Sequence, residues 1–137
     1  MDKDYAINLL INTLIANSVV TGLVGQRIFP DHLSVIDTPV FPLITIYDGG
    51  SKRTTLSKDA NWYNIIIEIH SVKYASECYD IMKAVNDVIH PPNRLADTNY
   101  WLIILSSQED GVKSMKDSAE TRYYEKINYK TFAIKRT

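Results

Sequence analysis

The three histidines and one cysteine are the side chains best suited to bind a metal or attack a substrate, and their spacing supports neither. His32, His70 and His90 are scattered, without the HExxH or paired CxxC spacing that brings ligands to one ion. His70 ends a predicted strand. His90 ends a predicted helix, where an imidazole interacts well with the helix dipole. Cys78 falls in a helical apolar stripe and reads as a small apolar residue. Ser71 follows His70 directly on an extended segment, so the two side chains point to opposite faces. Gly49-Gly50-Ser51-Lys52 has glycines and a lysine, but neither the length of a phosphate-binding loop nor a helix after it, and it reads as a hairpin turn. No GxSxG nucleophile elbow occurs. The carboxylates of Glu109-Asp110 and Asp117 to Glu120 lie in a polar stretch where solvation is the default. No catalytic, cofactor or metal residue is therefore assigned, and the expectation is that the chain is not an enzyme.

Charge chemistry leaves two basic sets. Lys52, Arg53 and Lys58 fall in one polar segment, and Arg122, Lys126 and Lys130 share one face of a predicted strand. Either set reads as a solvated or edge-protecting group of charges, or as a contact for an acidic partner surface or passing DNA. The net charge of −1 gives no global field to attract nucleic acid or an anionic membrane. No run approaches the roughly 18 apolar residues a membrane span needs. Met1-Asp2-Lys3-Asp4 lacks the basic region of a secretory signal, which predicts a cytoplasmic product with no targeting segment and no membrane partner. One cysteine excludes an internal disulfide and fits a reducing compartment.

The elements that would position these residues follow from periodicity. A chain of 137 residues predicts a single domain spanning 1–137. At that size roughly two-thirds of the unfolded surface is buried, so no metal or disulfide is required. Ile7, Leu10, Ile11, Leu14 and Ile15 make one helical stripe, which Asp2 or Asp4 can cap. The helix is expected to fade near Asn17, with Gly22 and Gly25 making turns. Arg27-Ile28-Phe29 is a short extended piece ended by Pro30. Pro39 and Pro42 frame a strand from Leu43 to Tyr47, and Asp48-Gly49-Gly50 signals a turn.

Ser51 to Asn61 is polar and reads as a long hairpin loop or a loosely held arm. Trp62 to His70 is the clearest strand: Tyr63, Ile65, Ile67 and Ile69 share the face that should meet helices, opposite Trp62, Asn64, Ile66, Glu68 and His70. A second helix over Ala75 to Ile89 carries Cys78, Ile81, Met82, Val85, Val88 and Ile89 on its stripe and stops at Pro91-Pro92. Tyr100 to Leu105 is a short apolar strand, Ser106 to Glu120 a polar loop, and Arg122 to Lys135 a long final strand. The predicted class is α+β: a mainly antiparallel sheet of four to five strands with two helices packed on one face.

The order of these parts resembles a known family. Its carriers are the first helix, then GLVGQRIFP (Gly22 to Pro30), TPVFPLITIY (Thr38 to Tyr47) and a polar hairpin. They continue in WYNIIIEIHSVKYASECYDIMKAV (Trp62 to Val85) and YYEKINYKTFAIK (Tyr123 to Lys135). Across Tyr5 to Ile134 the chain looks like a bacteriophage tail terminator, or tail-completion protein, of the siphophage, lambda-like type and its contractile-tailed relatives. The resemblance implies a single tail-terminator-like domain that assembles into a homo-oligomer, commonly a hexameric ring. The ring would cap the head-proximal end of the tail tube, end tube polymerisation and provide the head-tail joining surface. Implied partners are the tail tube protein and head-completion or neck proteins, with DNA only in transit through the ring. The implied location is the virion tail, after assembly in the host bacterial cytoplasm. No cofactor is implied. Two other classes remain open: another phage neck or head-completion (connector) protein or the equivalent component of a phage-derived tail device, and an unrelated α+β binding domain or enzyme.

Ring assembly requires a side-to-side surface that closes on itself and two unlike ends. Trp62, Asn64 and Ile66 are the candidate subunit interface, the alternative being that Trp62 folds over its own sheet. Lys52, Arg53, Lys58, Glu109, Asp110, Lys113 and Lys116, in the two polar segments, are the candidate tube or neck contacts, the alternative being plain surface loops.

Overall fold

A computed structural model describes residues 3–49, 55–57, 60–96, 98–117 and 120–136. The first described element is helix α1 (Lys3–Ile15), which buries Ile7, Leu10 and Leu14 of the expected stripe together with Ala6 and Leu9, while Ile11 and Ile15 are partly buried. The Asp2 and Asp4 caps lie outside the described side chains. The helix does not simply fade at Asn17. Asn17 opens a second helix, α2 (Ser18–Val24), by accepting hydrogen bonds at Oδ1 from the backbone N–H groups of Val19 (3.0 Å) and Val20 (3.1 Å). That cap offsets the poor helix propensity of Val19, Val20 and Thr21. Gly22 therefore lies inside a helix, and the turn falls at Gly25, whose φ of +62° favours glycine. The two helices meet at 90°, and among the described residues no single helix is long and apolar enough to cross a membrane.

The sheet contains strands β1 (Ile28–Pro30), β2 (Leu43–Asp48), β3 (Thr55–Ser57), β4 (Ala60–Ser71), β5 (Asn93–Ala96), β6 (Tyr100–Glu109), β7 (Lys113–Asp117) and β8 (Glu120–Lys135). Its order is β1-β2-β4-β8-β6-β5, with β3 added to β4 and β7 to β8. Among the described residues the expected four to five strands become eight. The sheet is mixed, because β1 runs parallel to β2 while the remaining pairs are antiparallel.

The extra strands come from polar segments taken as loops. Ser106 to Glu109 prolongs β6, and Lys113–Asp117 forms β7; both pair along the same edge of β8. β6 and β7 together are one limb of a long hairpin, broken only at Asp110 to Val112. At that break the Gly111 N–H donates to Glu125 Oε1 at 2.8 Å. Thr55–Ser57 likewise becomes a strand within the expected Ser51 to Asn61 loop.

β4 pairs with β8 from Ala60↔Ile134 to Ser71↔Tyr123. This register puts Tyr63, Ile65, Ile67 and Ile69 on the same side as Ile127, Tyr129 and Ala133, all buried. Helix α3 (Ala75–Ile89) covers that side with Cys78, Ile81, Met82, Val85 and Ile89, beside Leu10 and Leu14 of α1 and Val20 and Val24 of α2. Three α-helices, not two, thus share the buried face. α3 ends at His90 in the left-handed region (φ +46°), just before Pro91-Pro92.

The Asn17 side chain caps the start of α2 at the α1–α2 corner. Asn17→Ala is expected to cost about 1 kcal/mol and Asn17→Asp far less, measured as the shift in urea unfolding midpoint at constant m-value.

Candidate interaction face of the sheet

The side of the sheet opposite the helices carries Trp62, Asn64, Ile66, Glu68 and His70 of β4. Their partners there are Tyr124, Lys126, Asn128, Lys130 and Phe132 of β8 and Leu43, Thr45 and Tyr47 of β2. Half of this face is covered. Because β1 and β2 are parallel, the chain between them must cross over the sheet. His32 of that crossover lies against Tyr47, ring centroids 3.9 Å apart, and Thr45, Tyr47, Glu68 and His70 are buried. Arg27 holds the far end of the crossover, its Nε donating to the Pro42 carbonyl at 2.8 Å.

Under the crossover sits a polar cluster centred on Glu68. The Tyr47 hydroxyl donates to Glu68 Oε2, His70 Nε2 lies 3.0 Å from Oε1, and Lys126 Nζ is 4.0 Å from Oε2. Burial alone would raise the Glu68 pKa. The hydrogen bonds from His70 and Tyr47, with the nearby charges, reverse this and hold the carboxyl below its ordinary value. Burial and then the Glu68 contact push the Tyr47 phenol up. The His70 Nδ1 and Thr45 Oγ1 atoms are buried without a hydrogen-bond partner. Beside this cluster is a cleft of about 470 Å³ lined by His32, Leu33, Pro39, Arg122, Tyr124 and Lys126 among others.

Among the described residues no helix covers the other half of the face, where Trp62, Asn64 and Ile66 are half-buried. Trp62 leans on Phe132 at 4.8 Å between centroids, and Lys130 Nζ sits 5.3 Å from its ring. Farther along, the guanidinium groups of Arg94 and Arg136 each lie 4.3 Å from the Trp101 ring centroid.

The structure does not assemble a reactive centre from the other residues weighed in the sequence. Ser71 Oγ donates to Glu77 Oε1 at the start of α3, away from the His70 side. Cys78 is fully buried, and burial together with the charges of Glu77 and Glu125 pushes its thiol up to about 12. Among the described residues no group of three His, Cys, Asp or Glu side chains could hold a metal. His32 and His70 line the same cleft, but His90 ends α3 elsewhere.

The predicted tube or neck contacts are dispersed. Glu109 ends β6, Asp110 lies in the hairpin break with its N–H bonded to the Lys126 carbonyl, and Lys113 and Lys116 are exposed on β7. Lys113 shares the open side with Tyr124, while Lys116 faces the other way. The four are therefore on strands and a tight break, not on one mobile loop, because β8 is long enough to pair with the whole segment. Lys52, Arg53 and Lys58 lie outside the described residues.

Sequence reasoning missed the Glu68 cluster and the Arg94–Trp101–Arg136 contact. Alternation alone puts Glu68 beside His70. Tyr47 and Lys126 join them only through the β2–β4 and β4–β8 registers.

No protein-family model and no curated protein matches this chain. Among solved structures, a chain from a "virion of native gene transfer agent (GTA) particle" shares its fold, with a TM-score of 0.61 at 10% identity. The match covers 93% of this chain and 92% of the other, so the likeness runs from end to end.

Two buried carboxyls should give opposite pH signatures. Glu68, with its folded pKa lowered, contributes stability above the ordinary carboxylate range that is lost as pH falls through the depressed value. Glu125 is raised, by burial first and then by Glu109 and Asp110 against the Gly111 hydrogen bond, so its favourable contribution is lost as pH rises through that value. Glu68→Gln should lower neutral-pH stability by roughly 1.5–3 kcal/mol and flatten the acid limb. Glu125→Gln, which keeps an acceptor for Gly111, should raise neutral-pH stability. Thermal unfolding across pH separates the two.

Proposed function

We propose that this chain is a structural virion assembly protein of the bacteriophage type. In this reading it forms a closed ring, commonly hexameric, on the head-proximal end of the tail tube. The ring ends tube polymerisation and presents the surface that head-completion or neck proteins join, with DNA only passing through it. The observation that carries the reading is the end-to-end fold shared with a virion chain, in the element order that the sequence strings Gly22 to Tyr47 and Trp62 to Val85 display. A non-enzymatic role agrees with the buried Cys78 thiol and with Ser71 committed to Glu77.

Trp62, Asn64 and Ile66 serve as the subunit contact in this proposal. They are half-buried aromatic and mixed groups on a sheet face without a covering helix, the composition that suits the core of an interface. Glu109, Asp110, Lys113 and Lys116 stand at the hairpin edge and serve as tube or neck contacts, together with Lys52, Arg53 and Lys58. A second reading is another neck or connector protein, or the matching component of a phage-derived tail device. It is favoured by the fact that the shared fold comes from a gene transfer agent particle without a stated position in it.

Mass measurement of the purified protein, alone and mixed with tail tubes, should show a closed ring, and electron microscopy should show tails of uniform length with the ring at the head-proximal end. A protein that stays monomeric and leaves tube length unregulated contradicts the terminator role. Density on the head side, with tube length unchanged when the protein is withheld, favours the connector reading.

Trp62→Ala should reduce assembly far more than folding. Loss of the Trp62–Phe132 ring contact is expected to cost the monomer roughly 1–2 kcal/mol while leaving it soluble. Recovery of no soluble protein would assign Trp62 to its own sheet instead.

A further inference from the structure

One end of the sheet is basic on the side opposite the helices, and the acids of that side lie at the other end. Strand segments 60–66, 93–96, 100–108 and 128–136 contain no acidic residue and hold Arg94, Lys130, Lys135 and Arg136. Lys135, opposite Tyr100, projects to the helix side. Among the described residues the acids of the open side are elsewhere. Glu68 is buried under the crossover, Asp31 and Asp37 belong to the crossover itself, and Asp117 pairs with Glu120 where β7 meets β8. Asp59 and Asp97 lie outside the described residues.

Trp101 organises the basic end. It stands opposite Ala96 on β5 and Ile134 on β8. Arg94 comes two residues before Ala96 and Arg136 two residues after Ile134, so the two arginines reach the indole from diagonally opposite corners. Each guanidinium carbon is 4.3 Å from the ring centroid, and both residues are exposed. The Arg136 N–H donates to the Asn99 carbonyl at 2.7 Å, which keeps the end of β8 beside β6. A guanidinium stacked on a ring is held by its flat face. Its donors lie in its own plane and point edgewise, so stacking orients them without using them. Ordering two long side chains in advance lowers the entropic cost of binding.

We propose that Arg94 and Arg136, ordered by Trp101, bind phosphates of a duplex DNA backbone, with Lys130 extending the contact along the face. This goes beyond the ring reading, which passes DNA through the ring without naming a contact, and it does not depend on ring closure. Trp62, Asn64 and Ile66 remain the subunit contact, two strands away on β4. Two features choose the occupant. Arg94 on β5 and Lys130 and Arg136 on β8 are spread across three strands, which suits a chain of repeated anions better than a single carboxylate. The Trp101 indole is flanked by two guanidinium groups and offers no free face for a base to stack on. The contact is therefore to the backbone alone, carries no sequence preference, and favours a duplex for its denser charge.

Fluorescence anisotropy of a labelled duplex, read across salt concentrations, tests the site. Arg94→Gln with Arg136→Gln should weaken binding about tenfold or more at low salt and reduce the slope of log K against log salt by about 2 for each protomer engaged. Arg94→Lys with Arg136→Lys keeps the charge but not the stacked fork, and should keep the slope while losing part of the affinity. Arg122→Gln with Lys126→Gln, at the other end of the face, should bind as the unaltered protein does. If circular dichroism shows that the paired glutamine variant loses its fold, each single substitution replaces it and should reduce the slope by about 1. No binding of the duplex by the unaltered protein at low salt, or an unchanged affinity and slope in the glutamine variant, overturns the inference and leaves the ring reading standing. Binding of single strands in preference to duplex overturns the backbone contact. Tighter binding of polyglutamate than of a duplex of equal charge, lost with the same two arginines, assigns the site to an acidic protein instead. An unaltered protein that binds the duplex through these arginines but forms no ring, alone or on tubes, overturns the ring reading alone.

Discussion

The register of β4 against β8 is the constraint on which the rest of the structure depends. Ile67 opposite Ile127 and Ile65 opposite Tyr129 place four buried side chains under the helices in one stroke. A slip of one residue would turn Glu68 and His70 into the core and expose the isoleucines. Two hydrogen bonds from β8 reinforce the native pairing: Thr131 Oγ1 donates to the Tyr63 carbonyl at 3.2 Å, and Tyr129 Oη donates to Asn86 Oδ1 of α3 at 3.1 Å. The second ties the register to the helix layer, so sheet and helices set each other.

That register also decides what the uncovered side can be. The same alternation that buries odd-numbered residues of β4 delivers Trp62, Asn64, Ile66, Glu68 and His70 to the opposite side. The parallel β1–β2 pair supplies the only cover available from the described chain, because a parallel connection has to cross the sheet. It covers the Glu68 end and leaves the Trp62 end bare. The difference in burial between His70, at 4%, and half-buried Ile66 on the same strand follows from that crossing.

Elements that carry their own period were legible in the sequence. The stripes of α1 and α3 and the alternation of β4 and β8 each repeat often enough to fix type and orientation. What stayed hidden depended on single side chains or distant partners. α2 exists because Asn17 caps it, although Ser18 to Thr21 are poor helix formers. β7 and the end of β6 are polar and look like loop, and they become strands because the edge of β8 away from β4 pairs with them along residues 120–130. The candidate face was legible as to which residues share it. Arg94 and Lys113 reach the open side through pairings with β6 and β8 that local sequence does not encode.

A sheet face with half-buried aromatics is a costly surface for a protein to present to water alone. The chain offsets part of that cost internally, by laying Lys130 over Trp62 and Arg94 and Arg136 over Trp101. Such contacts shield rings without removing cations from solution, so the face stays charged and stays able to bind. On the helix side, Cys78 lies in the core and Ser71 donates to Glu77. Glu68 is buried, and its carboxylate is engaged by Tyr47, His70 and Lys126. The groups of β4 on the open side that could titrate, Glu68 and His70, are tied to each other beneath the crossover, which is why the two ends of one strand face differ so sharply in burial.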